Sequence, residues 1–215
     1  MKDSRTKYVK KGITMRRKAD KVLVCDVEST CWAGFPPKGE RSEIIEIGVV
    51  PVDLRTHEIG EGESIYVYPE RSTVSDYCTD LTGITTKILR EKGVRYVTAI
   101  RTLTEKYDSR KYTMVSWGDY DRNMFWKMSD LYCADYPFPP THINLKYFFS
   151  MWLNVSKLVG LKKALHTIGM EFEGTQHCGR DDAYNTARIF VEMLKSFKLV
   201  QDMSGGKHYA KHKET

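Results

Sequence analysis

The hydrophobic pattern of the first seventy residues predicts three β-strands. The run VLVCDV at residues 22–27 is almost entirely apolar and β-branched, which is typical of a buried strand. Two further runs, residues 43–53 and 63–70, flank a polar turn at residues 56–62. Strands this close in sequence favour antiparallel pairing.

The rest of the chain is predicted to be mainly helical. A short helix is expected at residues 79–85, ending at Gly83, and an amphipathic helix at residues 97–107. A fourth strand is expected at residues 111–118, where Gly118 stops it. Later helices are predicted at residues 119–133, 144–153, 161–168 and 181–197. Strands first and helices later predict an α/β fold, with a mixed sheet and helices packed on it.

Charge is unevenly distributed along a chain whose 215 residues suit one globular domain. Residues 1–21 contain nine basic and two acidic side chains, whereas the remainder is nearly neutral. A basic arm indicates a polyanionic partner, either nucleic acid or an anionic membrane surface, and fits a solubilising tail equally well. No apolar stretch approaches the roughly 18 residues that span a bilayer, and no apolar signal core follows the N-terminus. We therefore expect an intracellular, cytoplasmic protein.

Two acids lie unexpectedly at the end of the first apolar strand. The period of two places Asp26 and Glu28 on one face, roughly 6.6 Å apart. Burying unpaired carboxylates is costly, and a pair of Mg²⁺ or Mn²⁺ ions would resolve the cost because these ions prefer oxygen ligands. This short motif alone favours the simpler interpretation, in which the strand ends at Asp26 and both acids face water.

Two more polar clusters follow later elements. In SWGDYDRNMF, Asp119 and Asp121 lie where a strand gives way to a helix, and capping of that helix accounts for Asp119. In HCGRDDAYNTARI, His177 precedes Asp182 by five residues, and Asp181 is a candidate helix cap. A single loop histidine is more often an ordinary polar residue, but a neutral imidazole can accept a proton from a metal-bound water.

Taken together, the clusters resemble a known family. The ordered segments VLVCDVESTCW, EIIEIGVV, LTGIT, SWGDYDRNMF, INLK, GLKKAL and HCGRDDAYNTARI resemble the DEDDh superfamily of 3′→5′ exonucleases, especially its Eri-type and KapD-like branch. The resemblance implies a ribonuclease H-like fold, with a central mixed β-sheet flanked by α-helices. It also implies an exonuclease domain at residues 21–200. Charge and composition predict a basic N-terminal segment at residues 1–20 before it and a polar tail at residues 201–215 after it.

The resemblance also implies a reaction and a set of site residues. Two Mg²⁺ ions, for which Mn²⁺ can substitute, would be bound by four carboxylates while a histidine deprotonates the attacking water. Nucleoside 5′-monophosphates would leave from the 3′ end of RNA or single-stranded DNA. The implied catalytic residues are Asp26, Glu28, Asp121, His177 and Asp182, of which the four acids bind metal. The implied residues for binding the terminal nucleotide are Ser29, Thr30, Trp32, Leu81 and Thr82.

Several points stay open at this level. Trp32 is suited to stacking on a base and equally to packing within its loop. The Eri-type likeness favours RNA over DNA, whereas the role of Arg122 and the oligomeric state, including a homodimer, have no sequence signal. The alternative function is a catalytically inactive nucleic-acid-binding or regulatory protein with the same fold. The complete set of acids and histidine argues against that alternative.

Overall fold

The computed structural model describes residues 20–205, with side chains described as far as residue 197. The predicted basic segment therefore lies outside the described residues apart from Asp20, and so does the predicted tail beyond residue 205. Within residues 20–205, no helix combines the length and the apolar character needed to cross a membrane.

A mixed five-stranded sheet forms the centre of the described structure, which confirms the predicted α/β class. The strands are β1 Lys21–Ser29, β2 Ile44–Asp53, β3 Glu63–Tyr66, β4 Thr113–Ser116 and β5 His142–Asn144. Their spatial order is β3-β2-β1-β4-β5. The meander β1, β2 and β3 is antiparallel as predicted, whereas β4 and β5 run parallel to β1.

Helices cover both faces of this sheet. They are α1 Asp76–Thr82, α2 Thr86–Lys92, α3 Tyr96–Lys106, α4 Tyr120–Leu131, α5 Leu145–Trp152, α6 Leu161–Thr167 and α7 Gly179–Gly205. Alternate side chains of β1 enter two different cores. Leu23, Cys25 and Val27 pack with α3 and α4, whereas Val22 and Val24 pack with α5, α6 and α7. The period of two is therefore realised in β1, with both faces buried.

Some element boundaries differ from the predictions. The third strand ends at Tyr66 rather than residue 70. Val67 still donates a hydrogen bond to the Ile45 carbonyl at 2.9 Å, and it forms an isolated parallel bridge with Val94. The helix predicted at residues 79–85 begins at Asp76, where the Ser75 side chain accepts a hydrogen bond from the Cys78 amide. Two short elements, α2 and β5, were not predicted.

Candidate active site

A cleft of about 370 Å³ opens at the edge of the sheet where β1 ends. All five residues that the resemblance implied as catalytic line it: Asp26, Glu28, Asp121, His177 and Asp182. They come from β1, from the first turn of α4 and from the loop and first turn of α7. Three distant parts of the sequence therefore meet in one cleft.

The strand β1 contributes its two acids through its regular pleat. Asp26 and Glu28 continue the face on which Val22 and Val24 are buried, and they reach the cleft where the apolar core stops. Glu28 is only 9% exposed, so the interpretation in which both acids face open water is wrong. The strand continues to Ser29 instead of ending at Asp26.

Asp121 is joined directly to β1. The paired residues of β1 and β4 end with Val24 and Val115. Beyond that point the Val27 amide donates a hydrogen bond to Asp121 Oδ1 at 3.0 Å. In a continuous sheet, a carbonyl group of the neighbouring strand would accept this hydrogen bond. Here the Asp121 carboxylate accepts it instead, and the bond fixes Asp121 beside the acids of β1.

The N-terminus of α7 lies unusually close to the sheet. A Cβ atom added to Gly48 of β2 would lie 2.0 Å from the carbonyl carbon of Gly179, so any larger side chain would displace the helix. The Glu46 carboxylate also accepts a hydrogen bond from the Gly179 amide at 3.0 Å. Sequence analysis missed both positioning residues, although EIIEIGVV does contain a glycine and an acid within an apolar run.

His177 and Asp182 are hydrogen-bonded to each other at the N-terminal end of α7. The His177 amide donates a hydrogen bond to Asp182 Oδ2 at 2.8 Å, and His177 adopts a positive φ of 61°. Each of Glu28, His177 and Asp182 offers one atom that could bind a metal ion, and these three atoms lie within 4.8 Å of one another. Such a set of oxygen and nitrogen donors has the chemistry and the spacing of a cation site.

Burial raises the pKa of all four acids in the cleft, and repulsion by other carboxylates adds to the shift for Asp26, Glu28 and Asp182. Desolvation is the largest cause of the raised pKa in each case. The pKa of Asp26 lies well above its usual value because neighbouring carboxylates add to the effect of burial. The same causes raise the pKa of Glu28 to about 9. Burial raises the pKa of Asp182 to about 7 and that of Asp121 to about 6.

These acids have no basic side chain to neutralise them within the cleft. None of the described residues that line it is Lys or Arg. Lys146, which lies outside this lining, lowers the pKa of Asp121. Four carboxylates near this ammonium group are still unfavourable when ionised, and divalent cations are the ligand that such a cluster fits. The donor set therefore agrees with a metal centre.

The prediction that the Asp119 side chain caps α4 is wrong. Asp119 occupies the N-cap position, but its backbone is helical instead of extended, and its side chain bonds no amide of the helix. Asn144 Nδ2 donates to Asp119 Oδ2 at 2.8 Å, and Arg122 Nη2 lies 3.2 Å from Asp119 Oδ1. Arg122, which had no interpretation from the sequence, thus forms an ion pair with Asp119.

The suggested capping role of Asp181 also needs correction. The helix α7 begins at Gly179, so Asp181 lies inside its first turn. Its carboxylate accepts a hydrogen bond from the Thr175 amide at 2.8 Å. Asp181 therefore fastens the loop that carries His177.

The residues implied for binding the terminal nucleotide have different surroundings. Thr30 is fully buried, and its hydroxyl accepts from the Glu43 amide at 3.0 Å. The buried Thr82 donates to the Cys78 carbonyl at 2.8 Å. Both hydroxyl groups are therefore hydrogen-bonded within the protein, and binding of the terminal nucleotide by these two residues stays a prediction.

Of the remaining candidates, Trp32 and Leu81 keep accessible surface, whereas Ser29 is buried. Trp32 is half-buried, and Leu81 is exposed. The hydroxyl of Ser29 is hydrogen-bonded to that of Tyr120, an exposed aromatic residue that lines the cleft. Tyr120 was absent from the predicted set, although it lies between the two acids of SWGDYDRNMF.

Comparison with known proteins agrees with this geometry. The human 3′-5′ exoribonuclease 1 is 33% identical over 196 residues, which cover 82% of this chain. The chain spans about half of that protein, 53% of its length. A crystal structure of the nuclease domain of 3′hExo, a DEDDh family member bound to rAMP, superposes with a TM-score of 0.74 at 30% identity. That match covers 83% of this chain and 93% of the other.

A second solved structure extends the likeness. It shows 3′-end recognition of the histone mRNA stem-loop by a 3′-exonuclease, with a TM-score of 0.75, 29% identity and 84% coverage of both chains. The RNase T exonuclease family model matches residues 23–190, a range that holds all five cleft residues. The chain therefore belongs to the RNase T family of 3′→5′ exonucleases, in its DEDDh group.

Proposed function

We propose that this protein hydrolyses phosphodiester bonds from the 3′ end of RNA and releases nucleoside 5′-monophosphates. The observation that carries the proposal is the convergence of Asp26, Glu28, Asp121, His177 and Asp182 in one cleft. Membership of an exonuclease family supports the same reaction.

The four carboxylates are the proposed ligands of divalent metal ions, with Mg²⁺ as the expected ion and Mn²⁺ as a substitute. When bound, such ions supply positive charge that activates water and offsets the charge developing on the phosphate. Asp26 and Glu28 provide oxygens from β1, and Asp121 and Asp182 provide them from the two helices. Because these acids lie in one cleft, residues of β1, α4 and α7 would all contribute ligands to the same metal centre.

His177 is the proposed general base. It lies on the loop before α7, next to the acids but outside the helix, so its imidazole borders the cleft. The bond from its amide to Asp182 holds the backbone in place, and the imidazole is left to accept a proton from the attacking water.

RNA is the proposed substrate in preference to DNA. The support comes from relatives: the human exoribonuclease is named for RNA, and the two solved structures contain rAMP or concern an mRNA stem-loop. Single-stranded DNA is compatible with the same chemistry and forms the second arm of the test.

The test uses 5′-labelled RNA and DNA oligonucleotides of identical sequence, incubated with Mg²⁺ or Mn²⁺. We expect a ladder that shortens from the 3′ end, faster on RNA, and no products in the presence of a chelator. A circular RNA should stay intact. Cleavage within the circle or in excess chelator would contradict the proposal.

The outcome also distinguishes the alternative of an inactive binding protein. In that case the oligonucleotides would be bound but would stay intact at every metal concentration. An Asp121→Asn variant measured in parallel identifies contaminating nuclease, because contaminating activity would survive the substitution.

A further inference from the structure

A second pocket lies at the same edge of the sheet as the cleft. It has a volume of about 280 Å³ and is lined by Gly39, Arg41, Glu43, Arg71 and Leu131. Two of these five residues are arginines on separate loops. Within residues 20–205, neither guanidinium group has a carboxylate partner within 4.0 Å.

Thr30 connects this pocket to the catalytic strand. It follows Glu28 by two residues, and its amide donates to the Glu43 carbonyl at 2.9 Å. Its hydroxyl bonds both the Glu43 amide and, at 2.9 Å, the hydroxyl of Ser72. The two loops that carry Arg41 and Arg71 are therefore fastened to the end of β1.

Glu43 holds the pocket together from beneath. Its side chain is fully buried, and its carboxylate accepts hydrogen bonds from the Arg71 amide at 2.8 Å and from the Tyr132 hydroxyl. The Glu70 amide is a more distant donor at 3.4 Å. The Glu43 oxygens are thus taken up by backbone and phenol donors, and the guanidinium groups keep their own donors free.

The Arg71 guanidinium is held in place before any ligand arrives. Its central carbon lies 5.5 Å from the centre of the Tyr132 ring, within the range of a cation–π contact. A guanidinium group oriented in this way presents a planar set of N–H donors that matches two oxygens of a phosphate. Ordering it in advance reduces the entropy lost on binding.

We propose that Arg41 and Arg71 bind a backbone phosphate of the single strand whose 3′ end occupies the cleft. This inference rests on the proposed function. The helix α4 joins the two places, since Asp121 lies in its first turn and Leu131 at its last residue. Ten residues at 1.5 Å each separate them by about 15 Å, so only a strand of several nucleotides reaches both.

The test compares substrate lengths in the full-length protein. We expect Arg71→Gln to reduce the preference, in kcat/KM, for a decanucleotide over a dinucleotide by roughly tenfold or more, the effect of one charge-assisted hydrogen-bonded contact. Decanucleotide binding, measured in chelator, should lose about 0.7 from the slope of log K against log salt. Arg41→Gln should act in the same direction.

Arg101→Gln is the matched control, because it removes the same charge from an exposed position on α3. We expect it to keep the wild-type length preference and salt slope. An Arg71→Gln variant indistinguishable from Arg101→Gln in both measurements would overturn the inference. If the wild-type protein cleaves neither substrate, the proposed function fails instead, and the salt slopes still test the pocket.

Discussion

The carboxylates of β1, which border the cleft, and those around β2, which are almost fully buried, differ in their hydrogen-bond partners. Glu43 and Glu46 are at most 1% exposed, and their oxygens accept hydrogen bonds from backbone amides and from hydroxyl groups. Among the described residues, no donor reaches the side-chain oxygens of Asp26 or Glu28. The carboxylates of Glu43 and Glu46 are therefore hydrogen-bonded within the protein, whereas those of Asp26 and Glu28 have no donor among the described residues.

This difference separates structural acids from those of the cleft. A buried carboxylate that accepts several hydrogen bonds stabilises the segments that donate them, as Glu43 does for the loop of Arg71. A buried carboxylate beside other carboxylates is destabilising until a cation arrives. Repulsion between the cleft acids therefore lowers the stability of the metal-free protein, and the same repulsion favours the binding of metal ions.

The largest expected effect separates two acids of the same segment. Asp121→Asn should lower exonuclease activity by roughly 10³-fold or more, because it removes a charged ligand from the cluster. Asp119→Asn should cost little, since an asparagine oxygen can still accept from Asn144. The losses are a partly exposed ion pair with Arg122 and a 3.8 Å contact with His142, whose pKa is lowered by burial. Single-turnover rates at saturating Mg²⁺, with circular dichroism to verify folding, provide the measurement. An inactive Asp119→Asn beside an active Asp121→Asn would reverse the assignment.

Replacing the proposed base should have a smaller effect. His177→Ala is expected to reduce kcat by on the order of 10² to 10⁴ with little change in substrate affinity, because proton transfer is lost and the acids remain. The variant should keep the wild-type affinity for Mn²⁺ within a few-fold. Wild-type kcat in this variant would remove His177 from the mechanism.

Substitution of a hydrogen-bonded acid such as Glu43 should change the stability of the protein rather than its catalytic activity. Glu43→Gln replaces one acceptor oxygen by an amide donor, which leaves a buried donor from Arg71, Glu70 or Tyr132 without a partner. We expect a loss of about 1–3 kcal/mol in the free energy of unfolding. Urea denaturation measures this loss, and a variant as stable as the wild type would show that the hydrogen bonds at Glu43 are dispensable.

A pH dependence of stability is expected in the presence of chelator, and within any one pH unit the effect is small. The pKa of Glu28 is raised from 4.5 to about 9 in the folded protein, so the folded state retains a proton that the unfolded chain releases. Stability should therefore fall as pH rises between these values, by at most about 1.4 kcal/mol per pH unit from this group. Glu28→Gln should flatten the dependence. An identical pH profile in the variant would show that Glu28 ionises normally.

The sequence was sufficient to predict the parts of the fold that depend on local patterns. The pleat of β1 places Asp26 and Glu28 on one face, as the period of two predicts. The continuous apolar run before them matches the burial of both faces of this strand. By contrast, β5 has only three residues, His142–Asn144, which is too short for a period to be visible. The helix α2 was missed for the same reason, since seven largely polar residues show little amphipathic pattern.

Contacts between distant segments were beyond sequence analysis. The need for glycine at position 48 arises only because α7 lies against β2, and the hydrogen bond from Asn144 to Asp119 exists only because β5 places Asn144 beside the start of α4. The same limit applies to the buried acids. Glu43 and Asp26 both occur at the edges of apolar runs, and only the donors around them show which one is satisfied.

Binding of Mn²⁺ without substrate tests the central claim most directly. Calorimetric titration of the wild-type protein near neutral pH should show saturable binding. Asp26→Asn should weaken this binding by at least roughly 10-fold, because a cluster carboxylate is lost. Glu43→Gln, measured well below its unfolding temperature, should bind as the wild type does. No binding by the wild type, or equal losses in the two variants, would contradict the distinction between the unsatisfied acids of β1 and the hydrogen-bonded acids around β2.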